Sequence, residues 1–403
     1  MKESLNILVI SPHYHTFVKG LVDATANYIS AITVLVHHNY LSEFAQYLPF
    51  SYFRHVEKFS KEKLVDLAEK PENVRVNVVS MLYFIPDGQN VGLGDKLFKK
   101  FDKFIQQNEI EFDLIHAHFT WPSGYAGARL SKKFGAPLII TAHGYDVYSL
   151  PFKNNAWFER IKFSLDSADH VITVSKSNYE ILVNKLRIQK DKISIIPNGF
   201  DSNKFKPIDK ISARKTLDLP LDKRIILNVA NLVPVKGHRY LIEAMKHIIK
   251  VRDDTMLIIV GDGPLKKELK NQIKKLGLDE YIKLVGARPH GEIPLWMNAS
   301  DIFVLPSLNE GNPTVMFEAL GVGLPFVGTR VGGIPEIITS EDYGLLVEPA
   351  DSYDLKEKIL IALEKEWDRG KIRKYAEKFT WENIVKDLVK IYREINLYRV
   401  SYG

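Results

Sequence analysis

Thirteen short, almost wholly apolar runs punctuate this sequence, and their alternation with helix-like stretches narrows the architecture before any single residue is considered. In the first half they are LNILVIS (5–11), AITVLVHH (31–38), VRVNVVSM (74–81), FDLIHAH (112–118), APLIITAH (136–143), HVITVS (170–175) and KISIIPNG (192–199). A strand with one wet face alternates apolar and polar residues. A continuous apolar run of this length suits a strand buried on both faces. Helix-like stretches at 93–108, 123–135 and 156–168 lie between them. Strands alternating with helices build a parallel, doubly wound sheet. After the polar, turn-rich PNGFDSNKFKPIDK (197–210) the pattern restarts with RIILNVA (224–230), TMLIIVG (255–261), YIKLVG (281–286), DIFVLPS (301–307), PFVGT (325–329) and GLLVEP (344–349). The expectation is α/β, with two Rossmann-like domains at 1–200 and 201–379. The final TWENIVKDLVKIYREI (380–395) reads as an amphipathic helix, with Thr380 as its N-cap and one stripe at 384, 385, 388, 389 and 391. Ligands in such sheets bind beyond the carboxyl ends of the strands. Two such domains are therefore expected to share a cleft lined by residues that follow strands.

At 403 residues the chain suits two domains. It has no Cys, which excludes disulfides and thiolate metal sites. The charge balance, 55 − 49 = +6, favours anionic partners such as nucleotides and phosphates without singling out nucleic acid, which is not expected as a partner. MKESLNILVISPHYH enters an apolar run that ends at Pro12, so no signal peptide is expected, and no apolar run nears the roughly 20 residues of a bilayer span. The expected location is cytoplasmic, with association at the cytoplasmic membrane face as an option. YLPFSYFRHVEKFSKEK (47–63) mixes aromatics with Arg and Lys; it reads as an ordinary surface segment or as a membrane contact for a lipid-linked acceptor.

LPSLNEGNPTVMFEAL follows the run at 301–306. Pro313 suits a first helical position, where its missing N–H costs nothing, so a helix is expected to begin near Asn312. The free N–H groups of such a helix make an anion site. Glu310 precedes that site and Glu318 follows it. Carboxylates repel phosphate but accept hydrogen bonds from paired hydroxyls. A ligand with hydroxyls on both sides of a diphosphate is a nucleotide sugar. The plain alternative is two exposed surface charges.

SLNEGNPTVMFEALGVGLPFVGTRVGGIPEII…YGLLVEPAD resembles the signature segment of glycosyltransferase family 4, retaining enzymes of GT-B fold. VANLVPVKGHRYLIEA (229–244) resembles that family's phosphate-binding turn, IVGDGPLKKEL (259–269) its nucleotide-base loop, and FTWENIVKDLVKIYREI its closing helix, which crosses back to the first domain. HAHFTWPSGYAGARLSKKFGAPLIITAHGYDV resembles its acceptor-side core. The resemblance implies that Glu310 binds hydroxyls of the transferred sugar, Glu318 the ribose hydroxyls, and Lys236, beside Gly237, the diphosphate. It implies that Gly311, Asn312, Pro313 and Thr314 line the sugar and phosphate pocket, that Gly261 and Gly263 let the base approach, and that His143 lies at the reacting sugar. It implies a nucleoside diphosphate sugar as donor, a hydroxyl acceptor and no cofactor. Relatives usually carry Arg where this chain has Asn231. They often carry glycines after the first strand, where this chain reads SPHYHTFVKG. No D-x-D occurs, which fits metal-independent transfer.

Two other classes compete. HYH (13–15) and HAH (116–118) place pairs of His on one side of a strand end, and with His143 and Asp146 they suggest a metal-dependent hydrolase. A non-catalytic nucleotide-sugar-binding protein is the third reading. GVGLPFVG (321–328) mimics a dinucleotide loop, but it runs from helix to strand, the reverse of the Rossmann order.

Overall fold

The computed structural model describes residues 2–44, 59–85 and 87–402, with side chains described as far as Leu397. The chain divides into two compact units, Met1–Pro197 with Trp381–Gly403, and Asn198–Thr380. Unit 1 holds β1 (Glu3–Ser11), β2 (Ile29–Asn39), β3 (Val74–Met81), β4 (Leu114–His118), β5 (Leu138–Ala142), β6 (His170–Thr173) and β7 (Ile193–Ile195) in the order β3-β2-β1-β4-β5-β6-β7. Unit 2 holds β8 (Arg224–Val229), β9 (Thr255–Val260), β10 (Ile282–Gly286), β11 (Ile302–Leu305), β12 (Phe326–Thr329) and β13 (Gly344–Val347) in the order β10-β9-β8-β11-β12-β13. Every pairing in both sheets is parallel. Each is a doubly wound sheet, and one strand falls on each of the thirteen apolar runs.

Burial explains the sequence pattern. All six residues of β9 and all five of β4 and β5 are buried, because helices cover both faces of each sheet. In the helix Leu93–Gln107, Leu93, Leu97, Phe101 and Ile105 recur every fourth residue and sink into the unit 1 core. The last helix, Trp381–Tyr402, belongs to unit 1 although the whole of unit 2 precedes it in the chain. Its stripe of Ile384, Val385, Leu388, Val389, Ile391 and Tyr392 is buried. Trp381 lies so close to Gly20 that a Cβ there would come within 2.2 Å of the indole Nε1. Tyr392 Oη lies 2.6 Å from His116 Nδ1 at the centre of the sheet.

In each sheet the strand order reverses once, between β1 and β4 and between β8 and β11. At such a point successive crossovers leave toward opposite faces, and a crevice opens beyond the strands' carboxyl ends. The loops after β8 and β11, and those after β1 and β4, are therefore where ligand chemistry belongs. The stretch 47–63 lies outside the described residues as far as Lys58; from there a turn leads into the short helix Lys61–Leu64. Among the described residues no helix is long and apolar enough to cross a membrane.

Candidate active site

In unit 2 the loops after β8 and β11 touch backbone to backbone. Leu308 N–H donates to the Val235 carbonyl at 2.7 Å. Gly237 has φ +66°, and a Cβ on it would lie 1.9 Å from the Pro306 carbonyl oxygen. Gly332, on the loop after β12, has φ +53°, and its Cβ would lie 1.8 Å from the Glu310 carbonyl oxygen. The neighbouring Gly333 N–H donates to the Gly311 carbonyl at 2.9 Å. Only glycine satisfies both the left-handed backbone and the close approach at these two positions.

That closure brings two side chains together across 74 residues of chain. Lys236 Nζ lies 2.5 Å from Glu310 Oε1, and Ser307 Oγ donates to the same oxygen at 2.6 Å. Glu310 is buried, and these two partners satisfy its carboxylate. The helix that follows runs Thr314–Gly321. Pro313 is its cap residue, with ψ 114°, and not its first helical residue as the sequence suggested. Asn312 precedes a proline, which disfavours helical backbone there, and Asn198, far earlier in the chain, holds it in place. Asn198 N–H donates to Asn312 Oδ1 at 2.8 Å, and its Nδ2 donates to the Asn312 carbonyl at 2.7 Å. Asn312 is thus occupied in closing the loop. No side chain caps the helix, so the Thr314 and Val315 amides at its start form an uncapped, positively polarised end.

Glu318 is buried on this helix, and its Oε1 lies 2.8 Å from His290 Nε2. The sequence reading missed His290. Its only signal was a His in the turn before the helix Ile293–Ala299, 28 residues ahead of its partner. Burial alone would lower the His290 pKa. The hydrogen bond and charge of Glu318, with help from Asp201 and against Lys204, outweigh it and raise the value. A raised folded-state pKa means that the pair stabilises the fold fully below the ordinary His value of about 6.5 and loses that contribution as pH rises through the raised value. His290 should therefore titrate above an ordinary His when followed by NMR, and Glu318→Gln should bring the midpoint down. A wild-type midpoint at or below the ordinary value contradicts the pairing.

The other expected donor-site residues sort by what they touch. Gly261 (φ +151°) and Gly263 let their loop close on the one after β8: added Cβ atoms would lie 1.9 Å from the Ala230 carbonyl oxygen and 2.6 Å from the Leu232 carbonyl oxygen. Asn231 is exposed on that loop, while Gly311 is buried against Gly333. His238, next to Gly237, is buried with no hydrogen-bond partner on either ring nitrogen, and burial followed by the charge of Lys236 takes its pKa down to about 4.

In unit 1, histidines crowd the ends of β1, β4 and β5. His143 Nε2 lies 3.1 Å from His118 Nδ1, and Phe17 and Phe119 pack on the His143 ring. His143 Nδ1 and His118 Nε2 have no partner. Burial, then mutual repulsion, holds His13, His118 and His143 well below the ordinary pKa, and takes His116 down to about 3, so all four are neutral at pH 7. The metal reading finds no support here. Both nitrogens of His116 are taken, by Tyr392 Oη at 2.6 Å and Thr141 Oγ1 at 2.7 Å. Asp146 spends its oxygens on the backbone N–H groups of Thr120, His143 and Gly144. Among the described residues no trio of His, Asp or Glu is placed to hold a metal ion.

The model of the family described as "Glycosyl transferases group 1" matches residues 209–379, and that of "Glycosyltransferase Family 4" matches residues 65–204. An uncharacterized glycosyltransferase of Methanocaldococcus jannaschii is 33% identical over 301 residues, which are 72% of this chain and 79% of that one. The UDP-Gal:alpha-D-GlcNAc-diphosphoundecaprenol alpha-1,3-galactosyltransferase of Escherichia coli is 34% identical over 251 residues, 60% of this chain and 64% of the relative, slightly under two thirds of its length. Among solved structures, Anabaena HepE in complex with UDP-glucose superposes with a TM-score of 0.72 at 22% identity, covering 97% of this chain and 100% of that one, a likeness of fold.

Proposed function

This chain belongs to the group 1 glycosyltransferases of family 4, and on that premise we propose that it moves a hexosyl group from a nucleoside diphosphate sugar to a hydroxyl acceptor, keeping the anomeric configuration. The observation that carries the reading is the Lys236–Glu310 pair at the strand-order reversal of unit 2, beside an uncapped helix start. Without donor, the two charges satisfy each other. An arriving donor replaces the contact with two better ones. Its diphosphate takes Lys236 and the Thr314 and Val315 amides, and hydroxyls of its sugar take Glu310. Glu318 lies four residues beyond Thr314 on the same helix and takes the paired ribose hydroxyls.

In the transfer the bond from the anomeric carbon to the phosphate oxygen breaks, and a bond to the acceptor oxygen forms. Negative charge grows on the diphosphate, where Lys236 and the helix end are already aimed, so they stabilise the transition state more than the ground state. Positive character grows on the sugar beside Glu310. The departing phosphate oxygen takes the acceptor proton, so no separate side-chain base is needed. His143 offers its free Nδ1 to a hydroxyl. A named relative supports a uridine donor: the E. coli enzyme uses UDP-Gal. The E. coli enzyme's diphosphoundecaprenol acceptor supports a lipid-linked acceptor here, met at the cytoplasmic membrane face.

A thermal-shift screen of UDP, GDP and ADP sugars tests the donor class, with UDP sugars expected to stabilise most. Transfer from the best donor is expected to survive excess chelator, because the diphosphate charge is met by Lys236 and the helix end. Stabilisation by none of the nucleotides, or strict dependence on a divalent ion, contradicts the proposal.

A further inference from the structure

We propose that unit 2 carries a second binding site, for a small phosphorylated metabolite, at the opposite end of its sheet. A cavity of about 410 Å³ is lined by Lys210, Arg224, Asp301, Lys365, Trp367 and Arg369, with Ala362 and Leu363 completing its wall. Arg224 opens β8 and Asp301 immediately precedes β11, whereas Lys236 and Glu310 follow the far ends of the same two strands. The two sites are thus a strand length apart, roughly 15–20 Å.

The cavity is overcharged. Four cations line it against one carboxylate. Asp301 is already saturated: Lys210 and Arg224 meet its Oδ1, while Arg214 Nη2 at 2.8 Å and the Ile225 N–H at 2.7 Å meet its Oδ2. Arg369 reaches only the Ser300 and Asp301 carbonyls, at 3.1 and 3.4 Å. Lys365 reaches the Glu341 carbonyl and lies 4.5 Å over the Trp367 ring. Among the described residues neither makes a close ion pair with a carboxylate; Arg369 feels the charge of Asp301 and Lys365 that of Asp342 only at longer range. The crowding also registers in the lysine: burial, aided by the charges of Arg214 and Arg369, lowers the Lys210 pKa despite its contact with Asp301. The close contacts of the last two cations are to carbonyls, which leaves their charge unneutralised at short range. Guanidinium and ammonium groups converging on one hollow suit a phosphate dianion. The volume and the Trp367–Ala362–Leu363 wall leave room for a carbon body attached to it.

The test uses the full chain, calorimetry, and glucose 6-phosphate and inorganic phosphate as probes. Glucose 6-phosphate is expected to bind saturably and more tightly than phosphate. The double variant Arg224→Gln/Lys365→Gln should weaken it at least about tenfold, and each single change several-fold. Lys236→Gln should leave it unchanged. Melting curves matching wild type establish that each variant folds, and the single variants serve if the double one does not. No saturable binding, binding that survives in the variants, or binding lost only in Lys236→Gln overturns the proposal.

Discussion

Glu310→Gln should lower kcat by about 10²-fold or more while leaving the binding of free nucleoside diphosphate unchanged or slightly tighter. The size of the effect follows from losing one contact that strengthens in the transition state. As the anomeric carbon gains positive character, the sugar hydroxyls become stronger donors, and a carboxylate rewards that change more than an amide does. The sign of the binding effect follows from the ligand-free pair. Lys236 Nζ and Glu310 Oε1 lie 2.5 Å apart, so a diphosphate must compete with Glu310 for the ammonium. Glutamine keeps the side-chain size and Ser307 remains beside it, but the competition ends. A pre-steady-state or kcat measurement with the best donor checks the first part. A kcat within about threefold of wild type would mean that Glu310 only shapes the loop.

Gly332→Ala should be among the most damaging glycine changes near the site. It incurs two penalties together. A residue with a Cβ at φ +53° carries a backbone cost of about 1–2 kcal/mol. Its Cβ would also lie 1.8 Å from the Glu310 carbonyl oxygen, a backbone atom that cannot swing aside as a side-chain tip does. The loop carrying Glu310 must move, so both stability and transfer should fall. Gly277→Ala is the matched control, because Gly277 has φ +67° and nothing within 4 Å of its added Cβ. In melting experiments Gly277→Ala should cost only the backbone term, a few degrees for a domain of this size, and retain activity. Gly332→Ala should lose clearly more on both counts. Equal melting points and equal activities for the two would show that the contact between the loops after β11 and β12 does not position Glu310.

The sheets were legible because their central strands are buried on both faces, and double burial writes a continuous apolar run into the sequence. The Lys236, Glu310 and Glu318 segments stood out through their resemblance to a family's motifs, and the structure brings Lys236 to Glu310. What escaped was set by partners distant in the chain. The helix starts after Pro313 rather than at it because Asn198, 114 residues earlier, holds Asn312 in place. His290 is paired by Glu318, and no local spacing announces it. His116 looked like half of a metal pair, but Tyr392 of the last helix, 276 residues away, occupies one of its nitrogens. Gly261 and Gly263 were expected to admit a base, and the approach the structure shows at them is that of the loop at 230–232.

The division of labour between the two glutamates can be read by titrating UDP calorimetrically into the wild-type protein, Glu310→Gln and Glu318→Ala. UDP carries ribose and diphosphate but no sugar to transfer. Glu318→Ala should weaken UDP at least about tenfold, since it removes hydrogen bonds to a charged acceptor worth roughly 1.5 kcal/mol or more, and it should raise KM for the donor with little change in kcat. Glu310→Gln should leave UDP affinity at or slightly above the wild-type value. Equal weakening in both variants, or weakening confined to Glu310→Gln, contradicts the assignment of Glu310 to the sugar and Glu318 to the nucleoside.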